Sequence, residues 1–156
     1  MQQTQSPRFV AFLRAAAIGL LMAGACIPVR AEEPRTSKPL ALREIMRELD
    51  ENMQAITGAI SREEWQQVST IAPRIVDHRQ PPTTEKIRIL AYLGKDAGSF
   101  RDRDRAVGEA ARALEQAAVS GDGESVISSF AKLQAGCLDC HQSFRKPFLD
   151  HFYGDR

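Results

Sequence analysis

An apolar stripe that runs through two cysteines is the feature that most limits the folds open to this chain of 156 residues. Its members recur at intervals of three or four between positions 126 and 148: Val126, Phe130, Leu133, Cys137, Cys140, Phe144 and Phe148. This spacing places them on one face of an α-helix and is typical of the seam between helices in a bundle. The sequence therefore predicts a long C-terminal helix whose buried face carries both thiols.

Two similar stripes lie near the start of the folded region. A first helix is predicted over 42–60. Its apolar positions are Leu42, Ile45, Met46, Leu49, Met53, Ile56 and Ile60. A second helix is predicted to begin at a capping box formed by Ser61 and Glu64, to bend at Pro73 and to stop before Gln80. Each helix has one apolar face to bury, so neither is stable without neighbours.

The connection to the remaining helices is less regular. Thr84 is a candidate N-cap for a short helix over 85–93 that Gly94 ends. A longer amphipathic helix then runs over 97–120. The Gly-Asp-Gly break that follows contains Asp122, which we expect to cap the C-terminal helix.

The composition agrees with an all-α fold. Aromatic residues make up only 6% of the chain, and no stretch alternates apolar and polar residues as a strand would. Amphipathic helices joined by short or moderate loops favour an antiparallel four-helix bundle. A chain of this length predicts one such domain.

Residues 1–31 have the pattern of a secretory signal peptide. Arg8 and Arg14 precede an apolar run over 15–28, and small residues stand at the −3 and −1 positions of a cleavage site after Ala31. The apolar run is shorter than the roughly 20 residues needed to span a bilayer. We therefore predict an exported, periplasmic protein without a membrane span in its mature chain.

The mature domain would then span 32–156. Removing the signal peptide takes away three arginines and no acidic residue, which leaves 18 basic and 20 acidic residues. Charges so nearly balanced predict no nucleic-acid partner. Cleavage also removes Cys26, although a lipoprotein in which Cys26 carries the lipid is an alternative. Cys137 and Cys140 are too close in sequence to form a disulfide framework.

These two cysteines belong to the segment Cys137-Leu138-Asp139-Cys140-His141, a C-x-x-C-H motif. The motif is the signature of covalent c-type haem attachment. Two thiols one helical turn apart can reach the two vinyl groups of a porphyrin, and the adjacent imidazole can bind the iron as fifth ligand. We therefore predict one covalently bound haem c, with His141 as a ligand of the iron.

Two other kinds of site also use paired cysteines. A zinc site would need a second set of ligands, and His78 and His151 have no matching cluster in the sequence. A thioredoxin-like redox pair would need a βαβ context, which the helical pattern does not provide. A zinc- or thiol-based binding module is therefore the distant alternative.

The chain resembles the class II cytochromes c, which include the cytochromes c′ and their low-spin, Met-ligated relatives. The resemblance depends on a C-x-x-C-H motif near the C-terminus, followed by Phe144-Arg145-Lys146, in an exported four-helix bundle. It is sharpest over 137–146 and weaker over 42–56, whereas 78–97 match the family pattern poorly. It implies a one-electron carrier for redox partner proteins. No sequence pattern indicates a substrate pocket with acid–base groups, so we do not predict an enzyme. Family members often dimerise, so a homodimer is an open expectation.

The resemblance also implies roles for two further residues. Arg145 matches an arginine that lies beside the haem in the family, and its spacing from His141 puts both on one helix face. Met46 matches the position of the sixth iron ligand in the low-spin relatives, and Met53 on the same face is a substitute. In the cytochromes c′ an apolar residue occupies that position. A five-coordinate cytochrome c′ that binds nitric oxide or carbon monoxide is therefore the leading alternative.

Overall fold

The computed structural model describes residues 40–154. The predicted signal peptide, its predicted cleavage site and Cys26 lie outside the described residues. Within them the chain forms five α-helices and a short 3₁₀ turn, Gly94–Asp96. The helices are α1 Leu42–Ser61, α2 Trp65–Val76, α3 Thr83–Leu93, α4 Ala97–Ser120 and α5 Gly123–Tyr153. No strand occurs among residues 40–154, and no helix in that range is long and apolar enough to cross a bilayer.

Helices α1, α2, α4 and α5 form the predicted antiparallel four-helix bundle. α1 packs on α2, α2 on α4, and α4 on α5, while α1 and α5 approach each other over a shorter stretch. α3 is a fifth, short helix in the connection between α2 and α4. The four-helix prediction is confirmed, and α3 occupies most of the segment that matched the family pattern poorly.

The predicted start of α2 is wrong. Ser61 is the last residue of α1, and its hydroxyl donates a hydrogen bond to the Thr57 carbonyl at 3.0 Å. The capping box with Glu64 therefore does not form, and α2 begins at Trp65 without a side-chain cap. α2 continues through Pro73, which lies in its last turn. A proline so near the end removes one backbone hydrogen bond without ending the helix earlier.

The ends of α3 and α5 follow the predictions more closely. α3 begins at Thr83, so Thr84 is inside the helix and is not its cap. Gly94 ends α3 with a φ of +52°, in the region that glycine enters without steric penalty. Asp122 caps α5 as predicted, because its carboxylate accepts the backbone N–H of Ser125 at 3.3 Å.

The buried apolar side chains form two clusters. The main cluster fills the bundle among α1, α2, α4 and α5. Its buried members are Ile56, Ala59, Val68, Ile71, Ala72, Ile75, Ala111, Leu114, Ala117, Ala118, Val126 and Leu133. The end cluster joins α3 to the last turns of α5, and its buried members are Leu40, Ile89, Leu93, Phe148 and Phe152. Burial of apolar surface in the end cluster therefore holds α3 to the bundle.

Candidate haem site

The attachment motif on α5 lies between the two clusters. Cys137 packs against the main cluster, and Phe144 packs against the end cluster two turns later. Cys140 and His141 stand between them in sequence and belong to neither cluster. We call the level of the bundle between the two clusters the middle layer.

α1 passes through the middle layer and carries Met46, the predicted sixth ligand. Met53 packs against the main cluster, and Leu42 packs against the end cluster. Met46 lies between them on the same helix face, since it is four residues from one and seven from the other. Its side chain is 38% exposed. Met46 therefore lies on the stretch of α1 between the residues that meet the two clusters, and its ligation of iron stays a prediction.

α4 crosses the same layer with two charged residues. Phe100 packs against the end cluster and Val107 against the main cluster, so Arg103 and Asp104 fall between them. The Asp104 carboxylate lies 3.8 Å from Nε2 of His78, the residue two positions after α2. The middle layer thus contains polar groups from α4 as well as the candidate ligands.

The two thiols are free, and each is half-buried. Burial raises the pKa of the Cys137 thiol. Burial also raises the pKa of the Cys140 thiol, and the nearby Asp104 carboxylate raises it further. Both shifts favour the protonated thiol. The two cysteines would hold a porphyrin through thioether bonds to its vinyl groups.

Burial lowers the pKa of His141, and the Arg145 guanidinium one turn later lowers it further. Both effects favour the neutral imidazole, which is the form that binds a metal. Arg145 is exposed and acts on His141 through its charge, in keeping with their spacing of four residues on one helix.

A close approach of α4 and α5 precedes the motif. A Cβ atom on Gly136 would lie 3.2 Å from Cγ2 of Val107, which is tighter than an ordinary van der Waals contact. Glycine therefore allows the two helices to meet one residue before Cys137.

The donor set fits a covalently bound haem. Cys137, Cys140 and His141 follow one another along α5, and imidazole and thioether ligands are those that hold haem iron in c-type cytochromes. Apolar side chains border the middle layer on both sides and can cover a porphyrin. The residues present do not fit zinc, because no group of three or more metal-binding side chains occurs within residues 40–154.

Comparison with known families agrees with this geometry. A family model described as Cytochrome C′ matches residues 41–145, which is more than half of the chain. The chain belongs to the cytochrome c′ family. This cytochrome is therefore a c-type haem protein, and the recognition made from the motif is confirmed. No curated protein matches the chain.

The sequence did not single out Arg103. It stands in the alternating charged run 101–105, a pattern typical of a solvated helix face. A signal was present, because Arg103 is three residues after Phe100 and four before Val107, on the apolar side of the predicted helix. Long side chains often reach a buried surface with their stem while the charged end meets a partner.

His78 also lies deeper than its sequence position indicates. Its side chain is 17% exposed, and its Nδ1 lies 3.0 Å from the Ile75 carbonyl. Its other nitrogen faces Asp104 and the side-chain amide of Gln80, at 3.3 Å. Ile75 and Gln80 are local partners, whereas Asp104 comes from α4, so only the folded chain brings Asp104 to His78.

Proposed function

We propose that this cytochrome is an exported one-electron carrier with a single covalent haem, and that it is not an enzyme. The observation that carries the proposal is the C-x-x-C-H motif on the stretch of α5 between the two apolar clusters. The position of Met46 on α1, between Leu42 and Met53, supports it. In this proposal Cys137 and Cys140 bind the porphyrin, and His141 is the fifth ligand of the iron. Arg145 contributes its positive charge beside His141.

Met46 is the proposed sixth ligand. Its place on the face of α1 between Leu42 and Met53 supports this role, as does the resemblance to the low-spin relatives. When bound, the haem supplies an iron that alternates between the ferrous and ferric states. In this proposal the two ligands come from separate packed helices, α1 and α5. A methionine thioether favours ferrous iron, which suits an electron carrier.

The second candidate function is binding of nitric oxide or carbon monoxide by five-coordinate iron. One observation favours it, namely that the Met46 side chain is 38% exposed and belongs to neither buried cluster. A methionine that is not fixed by packing can leave the sixth position open to a small ligand. The choice between the two functions therefore depends on Met46.

The proposed partners are other redox proteins, and the proposed location is the periplasm. Both follow from family membership together with the signal peptide predicted over 1–31. A homodimer remains a prediction from the resemblance.

Extraction of haem from the purified, exported protein tests the central proposal. We expect haem to remain with the polypeptide after denaturation and acid–acetone extraction, because two thioether bonds hold it. The variant with both Cys137→Ala and Cys140→Ala is expected to retain none after the same treatment. Haem that leaves the wild-type chain freely would contradict covalent attachment, and a purified protein without c-type absorption bands would contradict haem binding.

A further inference from the structure

We infer that Arg103 of α4 is a positioning residue for the haem-attachment segment of α5. The inference rests on the proposed function, because the segment that Arg103 holds contains the proposed attachment site. Arg103 Nε donates a hydrogen bond to the Asp139 carboxylate at 2.7 Å. Asp139 lies between Cys137 and Cys140, directly before the second attachment cysteine. Arg103 thus binds the motif itself from a neighbouring helix.

Three contacts hold the Arg103 guanidinium in one place. It donates to Asp139, it hydrogen-bonds the hydroxyl of Ser99 one turn earlier on α4, and it lies over the Phe144 ring at 5.5 Å from the centroid. The Phe144 ring in turn meets Phe100 edge to face at 5.3 Å. The contacts on α5 therefore lie on both sides of Cys140 and His141 in sequence.

A comparison with Arg105, two residues later, separates this arrangement from an ordinary surface ion pair. Arg105 pairs with Asp102 and Glu109 on its own helix, and its side chain is 65% exposed. Arg103 pairs across two helices, and its side chain is 29% exposed. Exposed pairs within one helix do little to hold structure because both side chains are solvated and mobile. A planar guanidinium that is stacked and hydrogen-bonded at the same time fixes direction as well as distance.

The consequence concerns the register of α5 against α4. Gly136 allows the two helices to meet before the motif, and the Arg103 contacts hold them after Cys137. Cys140 and His141 lie within the segment that these contacts bracket. Without Arg103, the turn from Asp139 to Phe144 keeps its helical form but loses its fixed orientation toward α4. The environment of the haem then changes even though every attachment residue is still present.

A double-mutant cycle on the holo-protein tests the inference, with Arg103→Gln, Asp139→Asn and the double variant. The readouts are the midpoint potential and the circular dichroism of the haem in the Soret region. If the two residues act on the iron only as charges, their single variants shift the potential in opposite directions and the shifts add in the double variant. If they act together as a positioning pair, either change breaks the same contact.

We therefore expect both single variants to change the Soret circular dichroism in the same way. We also expect the double variant to resemble either single variant rather than their sum. Arg103→Lys keeps the charge but lacks the planar group that stacks and bonds at once, so it should change the dichroism as Arg103→Gln does. Arg105→Gln is the matched control, since it removes the same charge from the same helix, and its dichroism should equal that of the wild type.

The inference is overturned if the dichroism of the Arg103 and Asp139 variants equals that of Arg105→Gln, or if the effects of the two single variants add in the double variant. Asp139→Asn is an isosteric substitution at an exposed position, so the test can still be made if Arg103→Gln fails to fold. Failure of the proposed function is recognised separately, because it would appear as a wild-type protein without covalent haem. If the wild-type protein carries covalent haem and the variants do not differ from it, only the role of Arg103 is contradicted.

Discussion

At the scale of single residues, the proposed function depends most on Met46. The side chain of its neighbour Ile45 is 1% exposed, and Ile45 anchors α1 in the bundle. Met46 is packed less tightly and has three rotatable bonds, so its sulfur can move to meet a metal. His141 follows directly after Cys140, and its place is therefore set by the attachment itself. The two proposed ligands thus differ in how much freedom the chain leaves them.

Met46→Leu is expected to convert low-spin iron into high-spin, five-coordinate iron that binds carbon monoxide. Leucine has a similar volume but no sulfur to bind the metal, and such exchanges cost less than about 1.5 kcal/mol of stability. Absorption spectra of the ferric protein, and of the ferrous protein with and without carbon monoxide, measure the change. Met53→Leu on the same helix face is the matched control and should leave the spectra unchanged.

Two outcomes would contradict ligation by Met46. Wild-type protein that is already high-spin and binds carbon monoxide readily would make gas binding the better proposal. Low-spin iron that persists in Met46→Leu would mean that another side chain binds the metal. Met53→Leu in the same background would then test the substitute methionine on that helix face.

At the scale of helices, the contact of α4 with α5 fixes the position of the segment that contains the C-x-x-C-H motif. The contact has a close approach at Gly136 and Val107 and a polar link one turn later at Arg103 and Asp139. Helix propensity alone would favour alanine over glycine at position 136 by about 1 kcal/mol. The glycine is explained by the space that the neighbouring helix leaves.

Gly136→Ala is therefore expected to destabilise the protein, because its new methyl group meets the Val107 methyl at 3.2 Å. Valine is stiff about χ1 and cannot turn away easily, and overpacking of this kind costs about 1–3 kcal/mol. Gly108→Ala on α4 is the control, since the nearest atom to its new Cβ is a flexible arginine nitrogen at 3.9 Å. The control should stabilise the protein by up to about 1 kcal/mol. Urea unfolding of both variants measures the difference, and equal stabilities would contradict the close approach.

The N-terminus of α5 makes a pH-dependent contribution to the stability of the native state. Hydrogen bonds from the side chain and backbone of Ser125 hold the pKa of Asp122 below its ordinary value. A carboxyl group whose pKa is lowered by folding stabilises the native state above its unfolded pKa, about 3.9 for aspartate, and loses that effect as the pH falls through the folded value.

Asp122→Ala is therefore expected to reduce the free energy of unfolding at neutral pH, with a deficit that shrinks as the solution is acidified. Urea unfolding of the variant and the wild type at neutral and acidic pH measures it. Ser125→Ala should show part of the same effect, since it removes one of the two hydrogen bonds. A deficit that is the same at every pH would mean that the Asp122 charge contributes nothing.

At the scale of the whole molecule, the end cluster explains how this chain accommodates α3. The family model ends at residue 145, whereas α5 continues to Tyr153. The last two turns of α5 supply Phe148 and Phe152, which pack with Ile89 and Leu93 of α3. The last turns of α5 and the short helix therefore stabilise each other, and they cover the bundle at the level beyond the middle layer.

Phe148→Ala is expected to cost about 3–5 kcal/mol of stability, the usual penalty for deleting a buried phenylalanine side chain. Phe148 is 6% exposed, and its ring contacts those of Phe100, Tyr92 and Phe152. Leu149→Ala is the matched control, because Leu149 is 37% exposed and should lose far less. Urea unfolding of the holo-proteins measures both. Equal losses would contradict the end cluster as a source of stability.

The amino-acid sequence by itself determined α1, α4 and α5, the cap at Asp122 and the attachment motif. These features are local, since helical periodicity, a capping aspartate and the spacing of two cysteines and a histidine involve residues within a few turns of one another. The same locality made the haem and the family recognisable from Cys137 to Arg145, before any packing was known.

Only the tertiary structure decided the start of α2, the partners of Arg103 and His78, and the place of α3. Ser61 can cap α2 or end α1, and its hydroxyl suits either place. Packing of Ile56 and Ala59 in the main cluster extends α1 to include Ser61. α3 is too short to be stable alone and depends on the distant last turns of α5. Arg103 finds Asp139 36 positions away. Such contacts bring together residues that are remote in sequence, and no local pattern records which of them will meet.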